Sequence, residues 1–295
     1  MKKDDIGMIR IVLVTVVILI VCISGLFAYS GMSKPLTVVE SASMQHSNDT
    51  SYLGIIDTGD MAVMMSPDKA SVTTYVEGHQ NGYSKFGSYG DVIIYYRDGK
   101  NPVIHRAILW VDYDTTTDTW SAPALKDYPE ELWDNKGRTW DDLQGVLTLK
   151  ELPYIDRVMD ISIDLNALAH GSDNETPHSG YLTKGDKNPY FDQGTSIHYE
   201  PIKKDELKAI ACFELPWLGC IKLLVNDKNV SLIPKNSVPC LAVFVIDVFM
   251  FIILLSVILE YRDRLRRMDR PGTDDAPTPA FPMEMFQRVS KPPPM

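Results

Sequence analysis

Apolar residues crowd into two stretches of the chain and alternate with polar ones in between. Residues Ile11 to Ala28 read IVLVTVVILIVCISGLFA, 18 residues without a charge, and Leu241 to Leu259 read LAVFVIDVFMFIILLSVIL, interrupted only by Asp247. Each approaches the ~20 residues a helix needs to cross ~30 Å of hydrocarbon. The pattern predicts two transmembrane helices, 11–28 and 241–259. A cleaved signal peptide competes for the first run, but its apolar part is usually only about 7–15 residues long, so an anchor is expected. Asp247 lies at membrane depth, where an ionisable residue is expensive. No second ionisable residue lies inside either run to pair with it.

Between the two runs the alternation has period two. Candidate strands are Leu36–Val39, Met61–Met65, Ser71–Tyr75, Val92–Tyr96, Val103–Val111, Val146–Leu149, Ile161–Leu165, Lys208–Phe213 and Ile221–Val225. They are short, rich in β-branched residues and bounded by Gly, Pro, Asp or Asn. Long amphipathic helical patterns are missing. The expected fold is mainly β: a β-rich domain, 29–240, flanked by two transmembrane helices.

Flanking charge sets the expected orientation. Lys2, Lys3 and Arg10 precede the first run, and five Arg fall between Arg262 and Arg270 after the second. Both ends, 1–10 and 260–295, are therefore expected in the cytoplasm and 29–240 outside it. Three sequons, at Asn48, Asn174 and Asn229, fall on that outer side. From Pro271 the tail is Pro-rich and reads as a disordered extension.

Charge changes the picture in one place. The chain has 29 basic and 39 acidic residues, a net charge of −10, which argues against nucleic acid as a partner. Segment 111–180 holds 5 basic and 15 acidic residues, so nearly all of that excess sits there. It reads as an acidic insertion into the β scaffold, either a docking surface or, as preferred, a solvated elaboration with no part in any reaction. Four Cys make no disulfide framework. Cys212 and Cys220 are close enough in sequence to pair across a turn, but two unpaired apolar Cys on neighbouring strands are the simpler expectation. The sequence contains no P-loop, GxGxxG or HExxH and no CxxC. Neither a cofactor nor a metal is expected.

Three segments carry candidate chemistry. The first is Ser41-Ala42-Ser43-Met44. The second is Gly90-Asp91-Val-Ile-Ile-Tyr-Tyr with Pro102-Val-Ile-His105-Arg106. The third is Leu182-Thr-Lys184-Gly185-Asp186-Lys-Asn188, with Asp192 beyond it. A serine hydroxyl needs a nearby base to act as a nucleophile. Imidazole can take that proton and return it to a leaving amine. A carboxylate on the far ring nitrogen fixes the tautomer. Taken singly, each residue type is common in a purely structural role.

The order of these segments resembles type I signal peptidases, in the archaeal and endoplasmic-reticulum branch that has His where the bacterial branch has Lys. The resemblance covers about residues 9–110 and 181–225. It implies a signal-peptidase-like β domain in which Ser43 is the nucleophile, His105 the general base and Ser41 part of the oxyanion hole. Asp186 and Asp192 match the two family aspartates, with Asp192 the better candidate for orienting His105. Two positions depart from the pattern: Gln45-His46 follows Ser-Met where Pro is frequent, and Lys187 stands where a second Asn is frequent. The implied function is a membrane-bound serine endopeptidase that removes signal peptides from exported preproteins. Val38, Val39 and Ile94 are candidate walls for shallow pockets that read small substrate residues. Expected partners are preprotein signal peptides and the lipid bilayer, with the protein-export machinery an open third. An archaeal plasma membrane is favoured over the endoplasmic reticulum. The alternatives are a peptidase for another class of secreted substrate and a non-enzymatic, membrane-anchored β domain that binds or scaffolds.

Overall fold

The structure is a computed structural model that describes residues 3–97, 101–155, 157–170 and 176–268. Asn174 and the Pro-rich tail lie outside the described residues. Helix α1, Lys3–Ser30, opens the chain and helix α5, Ser237–Met268, closes its described part. Both are long and apolar enough to cross a membrane. Their apolar side chains are exposed all round: in α1 none of the apolar window is buried, and in α5 only 6% is. A helix that is apolar on every side and yet packs into no protein core calls for an apolar solvent. Asp247 lies on the exposed surface of α5 and makes no ion pair among the described residues.

Among the described residues, twelve strands lie between these helices. They are β1 Leu36–Val38, β2 Met61–Met65, β3 Ser84–Lys85, β4 Ser88–Tyr89, β5 Val92–Arg97, β6 Asn101–Asp114, β7 Thr119–Ser121, β8 Trp133–Asp134, β9 Val146–Tyr154, β10 Arg157–Asp164, β11 Gly180–Lys184 and β12 Ala209–Leu215. The main sheet runs β1-β2-β12-β5-β6-β11, with β7 pairing β6 beyond that path. A second sheet is ordered β10-β9-β8, and β3 and β4 form a hairpin. Every pairing is antiparallel.

Over the whole chain the architecture is mixed α and β with antiparallel sheets, where the alternation predicts a mainly β one. The two end helices and three short ones make the difference: α2 Tyr75–Asn81, α3 Leu165–His170 and α4 Cys220–Val225. Two expected strands are replaced. Of Ser71–Tyr75, the first four residues form no strand and end in Thr74, the N-cap of α2, and Tyr75 is already helical, because Thr74 and Glu77 form a capping box. Ile221–Val225 is helical, with Cys220 and Leu223 buried and Ile221 and Leu224 exposed, a spacing of three. All four cysteines are free; Cys212 sits on β12 and Cys220 on α4, so they are not on neighbouring strands.

The end helices are tied to the domain by polar contacts. Buried Ser30, the last residue of α1, donates its hydroxyl to Met64 O at 2.6 Å, and Ser66 N donates back to Ser30 O at 2.9 Å. Just before α5, the Asn236 side chain accepts from Ser51 N at 2.7 Å and donates to Ser51 O at 2.8 Å.

The acidic insertion is not a solvated appendage. Its residues Trp120, Leu125, Leu143, Leu147, Leu149, Leu152, Ile161, Ile163, Leu165 and Leu168 share one buried cluster with Tyr75, Val76, Leu182 and Phe191 of the scaffold. Charge covers its outer face and apolar residues its inner one. Leu149→Ala should therefore destabilise the whole domain by about 2–5 kcal/mol, seen as one shifted transition in fluorescence and in far-ultraviolet dichroism. Two separate transitions, only one of them shifted, would make the insertion an independent module.

Candidate active site

Ser43 lies in a turn between β1 and β2. Its neighbour Met44 is 1% exposed and fills a core cluster with Val39, Ile56, Ala62, Val92 and Ile94. Burial of that thioether holds the turn down and leaves the half-buried Ser43 at the surface. Gln45 N closes the turn on Ala42 O at 3.1 Å. Val39 and Ile94 belong to this core, whereas Val38 stays half-exposed.

His105 lies on β6, between β5 and β11, and is buried. β1 and β6 are four strand spacings apart in the ladder, ~19 Å on a flat sheet. The curl of the sheet and the loop after β1 close that gap. Ser43 Oγ lies 2.8 Å from His105 Nε2. On the other side of the ring, Nδ1 lies 2.6 Å from Asp192 Oδ2. A carboxylate only accepts, so Nδ1 carries the proton, and the free Nε2 then accepts from the Ser43 hydroxyl. Ser41 Oγ is 3.1 Å from Ser43 Oγ, on the exposed side.

Asp192 is fully buried, and two further donors converge on the same oxygen: Tyr95 Oη and Thr183 Oγ1, each at 2.7 Å. Burial pushes this carboxyl up, but the electrostatic pull of the His105 ring and the hydrogen bonds from His105, Thr183 and Tyr95 outweigh it. Asp192 is held below the usual carboxylate range. Burial and the Asp192 charge push the Tyr95 hydroxyl well above its ordinary value, so it stays a donor.

Asp186 makes no hydrogen bond or ion pair with His105. It pairs with Arg106, the next residue on β6, through Nε at 2.9 Å and Nη2 at 2.6 Å. Successive strand residues point to opposite faces, so His105 and Arg106 select different aspartates. The rest of the Arg106 guanidinium is caged by carbonyls of Lys85, Phe86, Tyr89 and Gly90 around the β3–β4 hairpin. Burial pushes Asp186 up, but Arg106 overrides it and holds the group low. His46 Nε2 approaches Asp186 Oδ2 at 3.5 Å.

The turn after β11 meets the Ser43 loop directly. Lys187 N donates to Ser43 O at 2.8 Å, and Lys187 Nζ reaches Asn48 Oδ1 at 2.6 Å. Gln45 accepts from Thr58 Oγ1 at 2.8 Å. Gln45 and Lys187 thus both fasten this loop. Gly185 fits where nothing larger does: a Cβ there would stand 2.6 Å from Ser43 O and 2.9 Å from His105 Nε2.

The structure thus brings Ser41, Ser43, His105 and Asp192 together and sets Asp186 on the opposite side of β6. Sequence reasoning missed Tyr95, Thr183 and Arg106. Tyr95 was legible in part, because it lies two residues from Ile93, the partner of His105 in the ladder, and so shares its face. A hydroxyl hydrogen-bonded to a buried, oriented imidazole can lose its proton while attacking an electrophilic carbon. Among the described residues no group of His, Cys, Asp and Glu is arranged to hold a metal.

Two predictions follow from this geometry. Gly185→Ala should fold yet react about 100-fold more slowly at Ser43 with a fluorophosphonate probe, since a displacement of about 1 Å costs that much; unchanged labelling would show that the turn yields. The second concerns Asp57, whose Oδ1 accepts from His46 N at 3.3 Å, and its neighbour Asp60. Burial lifts Asp57 to about 6 and Asp60 to about 7. Their folded values lie above the unfolded one, so stability falls as pH rises from ~4 through these values. Asp57→Asn should flatten that decline and gain about 1–3 kcal/mol at pH 8, read from denaturation at several pH values; an unaltered slope would contradict it. In comparisons with known proteins, no family model and no curated protein matches this chain.

Proposed function

We propose that the chain is a membrane-bound serine endopeptidase that removes N-terminal signal peptides from exported preproteins. The observation that carries this reading is the unbroken series of hydrogen bonds from Ser43 through His105 to buried Asp192. The hydroxyl end reaches the surface and the carboxylate end is sealed in the core. Order, spacing and burial are those of a nucleophile, its base and the group that orients the base.

In this reading Ser43 Oγ attacks the scissile carbonyl carbon as His105 Nε2 takes its proton. The imidazolium is stabilised by Asp192, whose carboxylate stays ionised. The oxyanion is met by the Ser41 hydroxyl and a main-chain N–H of the Ser43 turn. His105 then returns the proton to the leaving amine, and the bond between carbonyl carbon and nitrogen breaks. Water, deprotonated by His105, releases the acyl group and regenerates the hydroxyl.

The substrate follows from the setting. Two apolar helices flank the domain and are tied to it through Ser30 and Asn236. Anchored in a bilayer with both ends in the cytoplasm, they hold the domain at the outer surface. There an apolar signal segment ends and the small residues of its cleavage site emerge. Confinement to that layer raises effective concentration. A plasma membrane of archaeal type and a signal-peptidase-like catalytic domain complete the reading.

Ser43→Ala and His105→Ala should each abolish cleavage of a preprotein in membranes while the protein still folds. Asp192→Asn should lower kcat about 10²–10⁴-fold by removing the tautomer lock. Full cleavage by either of the first two variants would end the proposal.

A further inference from the structure

Strand β11 ends on a lysine with no exposed surface. A buried ammonium is tolerated only when its protons are engaged. Lys184 Nζ has three protons and three carbonyl acceptors: Pro153 O at 2.7 Å, Gly185 O at 2.9 Å and Asp186 O at 3.2 Å. Two of these carbonyls belong to the turn whose Gly185 rests against Ser43 O and His105 Nε2. The third belongs to β9, in the acidic insertion. One ammonium thus joins the insertion to the turn that both reacting side chains lean on. Among the described residues it makes no hydrogen bond to Ser43, His105 or Asp192, so the acyl-transfer steps do not use it.

Building on the peptidase reading, we propose that Lys184 is a positioning residue: its caged ammonium pins the β9–β10 hairpin to the Gly185 turn and so fixes Ser43 against His105. Through this link the insertion acts on the Gly185 turn, without touching the substrate. The charge balance around the cage makes the pin sensitive to pH. Burial lowers the Lys184 value to about 8. Asp186 and Asp192, from the segment after β11, oppose the fall; Arg106, from β6, adds to it; His46, from the Ser43 loop, feels the same ammonium; among the described residues the hairpin meets it through the Pro153 carbonyl. Loss of the proton leaves two donors for three carbonyls and no charge to hold them. The turn loosens as pH rises through that value.

The test compares the full chain with Lys184→Met and Lys184→Arg in lipid–detergent micelles, using a preprotein substrate, with Ser43→Ala alongside. Lys184→Met should lower kcat about 10–100-fold, with KM changed less than about threefold, the signature of misplacement without lost binding. Wild-type kcat should fall above about pH 8, whereas Lys184→Arg, which keeps its charge, should lose this alkaline limb. A folded Lys184→Met with wild-type kcat overturns the proposal. So does a wild-type profile flat to about pH 10, which decides the matter even if the methionine variant does not fold. Inactive Ser43→Ala beside an unaffected Lys184→Met removes the positioning role alone; active Ser43→Ala removes the peptidase reading and this role with it.

Discussion

A buried carboxylate must find donors or lose its charge, and Asp192 is where the domain meets that demand. Taking such a group out of water costs several kcal/mol. Three donors offset the loss, and they come from three strands: Tyr95 from β5, His105 from β6 and Thr183 from β11. The three are neighbours in the sheet, so correct pairing of β5, β6 and β11 and the gathering of three donors on Asp192 Oδ2 are one event. Thr183 is itself held by Gln193, which accepts from its N–H at 2.7 Å and donates to its hydroxyl at 3.1 Å. Little freedom remains for the imidazole. Its Nδ1 is committed to Asp192, and only Nε2 faces the surface.

The second aspartate solves the same problem with a different partner. Asp186 could not share His105, because the ring has one nitrogen on each side and Ser43 takes the other. The Arg106 fork satisfies both Asp186 oxygens and spends its remaining protons on the β3–β4 hairpin. Two adjacent residues on one strand, pointing to opposite faces, thus sort two aspartates of one segment into different roles. One polarises a ring; the other locks the turn that carries Gly185 and Lys187 under the Ser43 loop.

Some strands were legible in the sequence. β2, β5, β6 and β9 lie where short apolar, β-branched runs place them, although of these four only β9 alternates between buried and more exposed residues. Segments governed by one local interaction were not. The Thr74–Glu77 capping box overrides the β-branched run Ser71–Tyr75, and α3 starts because Asp164 Oδ1 accepts from Asn166 N and Ala167 N. Strand β11 escaped because Gly180, Thr183 and Lys184 break up its apolar run, although all five of its residues are buried. The roles of Thr183 and Lys184 were hidden with it: polar side chains there are meaningful only once their burial is known. The motif order singled out Ser43, His105 and Asp192, but the choice between Asp186 and Asp192 required knowing which face of β6 each one meets.

The acidic insertion was misjudged for a related physical reason. Its charge is conspicuous in sequence and its core is not, because the residues that bury it are spread over 111–168 with no single strong period. In the fold those residues enclose Leu182 and Phe191, the neighbours of Thr183 and Asp192. Tyr199 Oη also reaches Ala167 O of α3 at 3.1 Å, while Gly194 N donates to Tyr199 O at 2.8 Å, so the loop after Asp192 rests on the insertion as well. Removing that support would expose the apolar neighbours of a carboxylate that must stay dry to hold His105 firmly, because water competing for Asp192 weakens each of its hydrogen bonds. The charged outer face keeps this buttress soluble, and its inner face lets a small sheet keep an ionised group inside.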